Sequence, residues 1–186
     1  MDSKQQLQEI EEEISALQQR RREVIASAPR ESVPDYTFST EEGEVKLSEL
    51  FGDAGDLIVV HNMGRSCSYC TLWADGFNGV VQHLNDRAPF VVVSPDPPSV
   101  QKQFASSRGW TFRMVSCEGT DFAKDMGVEP EPGSYWPGIS TFRKTGDGIE
   151  RVAFTFLGPG DPFCSVWHIF DMLAEGAAGW QPKFDY

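Results

Sequence analysis

Two cysteines three positions apart, Cys67 and Cys70, are the residues whose type and spacing can do chemistry. An apolar run at residues 57–60 and a short polar turn at 61–66 lead into them, and a helix is expected to begin at the pair. A thiol at a helix N-terminus sits against the positive end of the helix dipole and its unpartnered N–H groups. That setting favours thiolate and can lower a cysteine pKa from about 8.5 to roughly 3.5–7.5. Thiolate is the attacking species in disulfide exchange, and a second thiol can resolve the mixed disulfide. The spacing casts Cys67 as nucleophile and Cys70 as resolving thiol.

Arg65 and Tyr69 flank the pair. Arg65 could stabilise a thiolate or grip an acidic substrate; the plainer reading is a solvated charge. Trp73 shares roughly the helix face of Cys70, whereas Asp75 is turned away by about 140°. Asp75 reads as a structural acceptor bonded to neighbouring backbone. A single C-x-x-C is also half of a four-ligand metal site, which Cys117 or His61 would have to complete in space. Taken alone, Cys117 and Cys164 read as small buried hydrophobes, and His61, His83 and His168 as structural histidines.

The elements that must position the pair follow from patterning. Residues 57–62 and 90–94 read as strands buried on both faces, and 110–115 as a third strand. The cysteine helix is expected from about Cys67 to Asn85, with Gly76 and Gly79 weakening it and a kink near Asp75. Pro95-Asp-Pro-Pro98 ends the second strand, and Ser99 is placed to cap a helix to about Arg108. A short helix at 121–126, a Pro- and Gly-rich loop and a hairpin of 139–143 with 149–156 come next. An opening hairpin lies around residues 36–47, followed by a helical turn at 48–51. A last helix is expected from Asp161 to Gly176, with Val166, Ile169, Phe170 and Leu173 on its inner side.

Residues 1–29 read as one helix capped by Ser3, ending at Pro29. Leu7, Ile10, Ile14, Leu17 and Val24 form a narrow stripe interrupted by Arg21, like a coiled-coil seam. Such a stripe packs on its own domain, pairs two subunits, or belongs to a loose tail. The organisation expected is an N-terminal helix, 1–30, and one domain, 31–186. The fold class is α/β: a three-layer sandwich with a central mixed sheet and an N-terminal helical extension, its reactive groups at the carboxyl end of a central strand.

Charge bounds the partners. The chain has 186 residues and a formal net charge of -12, which argues against nucleic acid and against an anionic membrane surface. No apolar run approaches the roughly 18 residues of a bilayer span. Four cysteines are too few for a disulfide scaffold. Without an apolar signal region near the N-terminus, a cytoplasmic location is expected.

The layout resembles the thioredoxin superfamily: strand, Cys67-Ser-Tyr-Cys70, helix, and a later Gly138-Ile-Ser-Thr141 leading into a strand. Thioredoxins carry Gly-Ile-Pro-Thr at the later position; Ser140 replaces that proline, leaving a backbone N–H able to donate to a thiolate or substrate. A closer resemblance, over roughly residues 5–175, is to an uncharacterised bacterial thioredoxin-like family. It rests on Cys67-Ser-Tyr-Cys-Thr-Leu-Trp-Ala-Asp-Gly76, on Leu47-Ser-Glu-Leu-Phe51 and on Arg108-Gly-Trp-Thr-Phe112. The strand order and the Val93-Ser94 region are also similar to peroxiredoxins. Those enzymes place Pro-x-x-x-(Thr/Ser)-x-x-Cys around the reactive thiol, a surround that neither Cys67 nor Cys70 has.

The resemblance implies a thioredoxin-like fold. The cysteine pair at a strand-to-helix turn points to a thiol–disulfide oxidoreductase acting on a disulfide-containing protein or a small thiol substrate, with electrons from a small thiol or a reductase and no cofactor. The substrate groove would hold Arg65, Tyr69, Trp73, Ile139 and Ser140. Alternatives are a non-catalytic binding protein of this fold, a peroxiredoxin-like peroxidase, or metal binding through the pair. A homodimer through the N-terminal helix is compatible with each.

Overall fold

The computed structural model describes residues 2–186, and compactness divides the chain after Glu31. The first unit is a single long helix, α1 (Ser3–Ser27). Asp2, rather than Ser3, is its N-cap, accepting the Lys4 N–H. Its Gln, Glu, Arg and Lys residues are good helix formers, and none of its residues is buried.

The second unit is built on a mixed sheet of order β1-β8-β7-β4-β5-β6-β2-β3. Its strands are β1 (Glu31–Val33), β2 (Thr37–Thr40), β3 (Gly43–Lys46), β4 (Asp56–His61), β5 (Phe90–Ser94), β6 (Arg113–Ser116), β7 (Gly138–Thr145) and β8 (Gly148–Phe156). β4, β5 and β6 run parallel, and β7 lies antiparallel between β4 and β8. The opening hairpin β2–β3 joins the far edge through β6. This is a thioredoxin-like fold, with β4 near the middle of the sheet.

Alternation along β4 sends side chains to two cores. Leu57 and Val59 join Phe38, Leu47, Phe51, Val91, Phe122 and Phe142 on one face. Helices α2 (Leu47–Leu50) and α5 (Phe122–Asp125) cover that side. Val60 joins Trp73, Phe77, Val81, Val92 and Trp110 on the other. There α3 (Ser68–Arg87), α4 (Pro98–Arg108) and α6 (Ser165–Phe170) form the layer.

Four local expectations differ from the structure. α3 runs unbroken through Gly76 and Gly79, because Asp75 is braced from outside the helix, accepting from Arg108 and from Trp110 Nε1. α4 begins at Pro98 with Pro97 as N-cap, so Ser99 caps nothing. The third strand starts later, at Arg113, while Trp110 and Phe112 pack beneath α4. The last helix is only six residues long. The Asp161 carboxylate accepts from the backbone of Gly158 and Phe163 and so holds the chain in a turn. Trp167 is the buried residue of α6, whereas Ile169 and Leu173 are exposed.

Candidate active site

β4 is a largely apolar strand that ends at the buried His61, and the chain then turns into a tight loop. Three hydrogen bonds set the loop's shape. Asn62 Oδ1 accepts from the Gly64 N–H at 2.8 Å, Asp96 Oδ2 accepts from the Arg65 N–H at 2.7 Å, and the Gly64 carbonyl accepts from the Cys67 N–H at 3.2 Å. Gly64 has φ +99°, and a Cβ there would lie 2.9 Å from the Asp96 carboxylate. Position 64 therefore admits glycine alone without strain.

The loop delivers Cys67 to the N-cap of α3. Its carbonyl accepts from the Thr71 N–H and hydroxyl, each at 3.0 Å, which starts the helix. Its Sγ accepts from the Cys70 N–H at 3.1 Å. Cys67 is half-buried, while Cys70, one turn on, is only 3% exposed. The Met63 N–H donates to Cys70 Sγ at 3.4 Å. All four cysteines are free thiols.

This geometry separates the two thiols electrically. The Cys67 pKa is lowered to about 6, first by the Cys70 thiol donating to it and then by the Cys70 and Tyr69 N–H groups, against burial. Cys70 is pushed far up, first by giving its proton to that hydrogen bond and then by burial and the neighbouring charge. One sulfur is thiolate near neutral pH and the other is a donor that stabilises it.

A groove of about 230 Å³ opens beside Cys67, lined by Met63, Tyr69, Trp73, Pro137, Leu157 and Pro159. Tyr69 also stacks on Trp167, with ring centroids 6.2 Å apart. Among the expected site residues, Cys67, Cys70, Tyr69 and Trp73 thus come together, although Trp73 is 2% exposed and offers the groove little more than a wall. Arg65 lies in the loop and is held by its backbone.

Ile139 and Ser140 do not join this groove. Ile139 faces a second, larger apolar groove of about 860 Å³ between α3 and α6, with Leu72, Phe77 and Ile169. Ser140 is 0% exposed. It is paired with Val59 on one side and Phe154 on the other, and its hydroxyl meets His61 Nε2 at 2.8 Å. The expectation that its N–H faces a thiolate or substrate is corrected: a strand interior flanked on both sides has no outward face.

His61 is a core residue on the opposite face of the sheet from α3. Its ring stacks on Phe122 at 5.4 Å, and burial, helped by the Arg151 charge, lowers its pKa to about 3. It is neutral at pH 7, and its contacts are with Phe122 and Ser140 rather than with either cysteine. Burial raises Cys117 to about 12 and raises Cys164 as well, so neither is a ready nucleophile. Among the described residues no group of three or more His, Cys, Asp or Glu side chains is arranged to hold a metal ion, and no helix is long and apolar enough to cross a membrane. Sequence reasoning missed Asn62, Gly64 and Asp96, which shape the loop. The pairing of a glycine with a distant acid is visible only in space.

Residues 4–183 match the family described as "Bacterial protein of unknown function (DUF899)". The chain belongs to this family. No curated protein matches it. The fold is similar to that of several solved structures. Peroxidoxin BcpB from Mycobacterium tuberculosis superposes with a TM-score of 0.59 at 20% identity, covering 68% of this chain and 84% of that one. A peroxiredoxin-like protein from Aquifex aeolicus gives 0.57 at 16% identity, covering 69% and 75%. Reduced Prx3 from Vibrio vulnificus in complex with H2O2 gives 0.55 at 15% identity, covering 72% and 87%. At these identities the likeness shows a shared thioredoxin-type fold.

Proposed function

We propose that this family member is a thiol–disulfide oxidoreductase with Cys67 as nucleophile and Cys70 as resolving thiol. The observation that supports it most is the Cys67 sulfur at the cap of α3, half-exposed and accepting the Cys70 N–H at 3.1 Å.

The Cys67 thiolate attacks one sulfur of a substrate disulfide. A Cys67–substrate S–S bond forms, the substrate S–S bond breaks, and the departing thiolate takes a proton from solvent. Mixed-disulfide formation removes the negative charge on Cys67 and the hydrogen bond it accepted. Two of the three influences holding Cys70 protonated disappear with them. Cys70 then releases its proton to solvent and attacks Cys67 Sγ, closing the intramolecular disulfide and freeing the second substrate thiol. Two electrons leave the pair, and a small thiol or a reductase returns them.

The substrate surface is apolar. Pro137 and Leu157 line the groove against Cys67, and the residues preceding them, Trp136 and Phe156, are exposed with rings 5.2 Å apart. An apolar segment beside the scissile disulfide suits this surface, and no charged side chain lines the groove.

Peroxidase chemistry is the second reading, and the likeness of fold to peroxiredoxins is what favours it. Counted back from Cys70, the proline and hydroxyl of the peroxiredoxin pattern fall on Met63 and Cys67. Here the hydroxyl's place holds the half-buried thiol of Cys67, and the pattern's cysteine is the buried Cys70. Reduction of a protein disulfide and of hydrogen peroxide, each measured on wild type, Cys67→Ser and Cys70→Ser, decides between them. Disulfide reduction lost in Cys67→Ser, with mixed disulfide trapped in Cys70→Ser, is the expected result. Disulfide turnover undiminished in Cys67→Ser would end the proposal, and peroxide turnover requiring Cys70 but not Cys67 would favour the second reading.

A further inference from the structure

α1 carries an apolar stripe that the helix itself leaves open. Leu7, Ile10, Ile14, Leu17 and Val24 are all exposed, Leu17 at 64%. Their spacing is a heptad, with Leu7, Ile14 and Arg21 at the a positions and Ile10, Leu17 and Val24 at the d positions. The helix is 25 residues long, about 37 Å at the usual rise, and the seam fills its middle three heptads.

The polar side chains are arranged differently on the back and flanks of the seam. On the back, Gln5 bonds Glu9, Gln8 bonds Glu12, Gln19 bonds Glu23 and Arg22 bonds Gln19. On the flank, at the g positions, Glu13 and Arg20 have no hydrogen bond or ion pair among the described residues. The charges are also segregated: Glu11, Glu12 and Glu13 lie in the first half, and Arg20, Arg21 and Arg22 in the second.

Charge complementarity selects both the occupant of the stripe and its direction. A parallel, in-register pair of helices sets Arg21 against Arg21 inside the seam and lays like-charged runs side by side. An antiparallel pair brings a opposite d. Leu7 then meets Val24 of the partner subunit, Ile14 meets Leu17 of the partner subunit, and Arg21 meets Ile10 of the partner subunit, its stem along the seam and its guanidinium in water. The g positions face each other, so Glu13 meets Arg20 of the partner subunit, and the symmetry repeats the pair at the other end. We propose that α1 docks antiparallel on α1 of a second copy of this chain, forming a two-stranded coiled coil whose direction is set by the Glu13–Arg20 contacts.

Charge exchange tests this with the full-length protein, by light scattering and sedimentation over a concentration series. Wild type gives twice the 20.7 kDa chain mass. Glu13→Arg or Arg20→Glu each replaces both attractive contacts with repulsive ones and weakens the dimer at least tenfold. Combining Glu13→Arg with Arg20→Glu restores it. All these sites are exposed on α1, so the alkylation rate of Cys67 stays at the wild-type value and reports that the thiol-bearing domain is intact. A wild type that remains at the chain mass at tens of micromolar overturns the proposal. So does a dimer indifferent to either single exchange, or a double exchange that fails to restore pairing.

Discussion

The Cys70 backbone N–H donates to Cys67 Sγ at 3.1 Å, and the same residue's thiol supplies a second donor to that sulfur. One residue thus acts twice on its neighbour's charge. The backbone donor persists when the Cys70 side chain is cut back to alanine, whereas the thiol donor is removed.

Alkylation of Cys67 should therefore follow a titration with its midpoint near pH 6 in the wild type. Reactivity is full above that pH and falls as pH drops through it, because protonation removes the attacking thiolate. In Cys70→Ala the midpoint moves up towards that of an ordinary thiol, about 8.5, without reaching it, since the backbone donors remain. Pseudo-first-order rates with iodoacetamide between pH 4 and 10 measure both. An unchanged midpoint in Cys70→Ala would show that the thiol donor does not act.

His61 gives the protein a pH-dependent stability unrelated to the thiols. Its ring is buried and neutral, with a folded pKa of about 3 against 6.5 in the unfolded chain. Between those values the unfolded state holds the proton and the folded state does not. Stability from this group is complete above pH 6.5 and is lost as pH falls towards 3, with a slope approaching about 1.4 kcal/mol per pH unit. His61→Phe should flatten that part of the profile, whatever its effect at pH 7. Urea unfolding at pH 4, 5, 6 and 7, compared as slopes, checks this.

The parts of the fold legible in the sequence were those carried by period and composition. The apolar runs at β4 and β5 suited strands covered on both faces, and that placed the cysteines at the exit of β4. Asp75 was read as a structural acceptor, but its partners are Arg108 and Trp110 rather than nearby backbone. Those residues are more than 30 positions away, and no local pattern encodes the contact. The continuity of α3 through Gly76 was missed for the same reason: local propensity disfavours it, and a tertiary brace restores it. Ser140 was misplaced because its role was borrowed from a proline that leads into a strand in thioredoxins, whereas here the strand already begins at Gly138.

Gly64 should tolerate no side chain. Gly64→Ala meets two penalties at once, a φ of +99° and a Cβ 2.9 Å from Asp96 Oδ2. Backbone strain of this kind costs about 1–3 kcal/mol. The loop can relieve it by releasing the Arg65 N–H from Asp96, which would also move Cys67 away from the helix cap. A lower denaturation midpoint and slower Cys67 alkylation are expected together. Adding Asp96→Ala to Gly64→Ala should recover only part of the stability, because it removes the clash and leaves the torsion.

Ser140→Pro separates this chain from the thioredoxins it resembles. In this fold Ser140 lies inside β7, paired with Val59 of β4 and Phe154 of β8. Proline there has no N–H for the sheet, and it strips His61 of its hydroxyl partner at 2.8 Å. A central-strand proline costs about 3 kcal/mol or more, and a buried imidazole left without its partner adds about 1–3 kcal/mol. Ser140→Ala removes the hydroxyl alone and isolates the second cost. The expected order of denaturant midpoints is wild type, then Ser140→Ala, then Ser140→Pro well below both. Cys67 alkylation in Ser140→Ala should match the wild type, because the side chain points to the face of the sheet opposite α3. A Ser140→Pro protein as stable as the wild type, or a Ser140→Ala protein with altered Cys67 reactivity, would show that this residue does reach the thiol site.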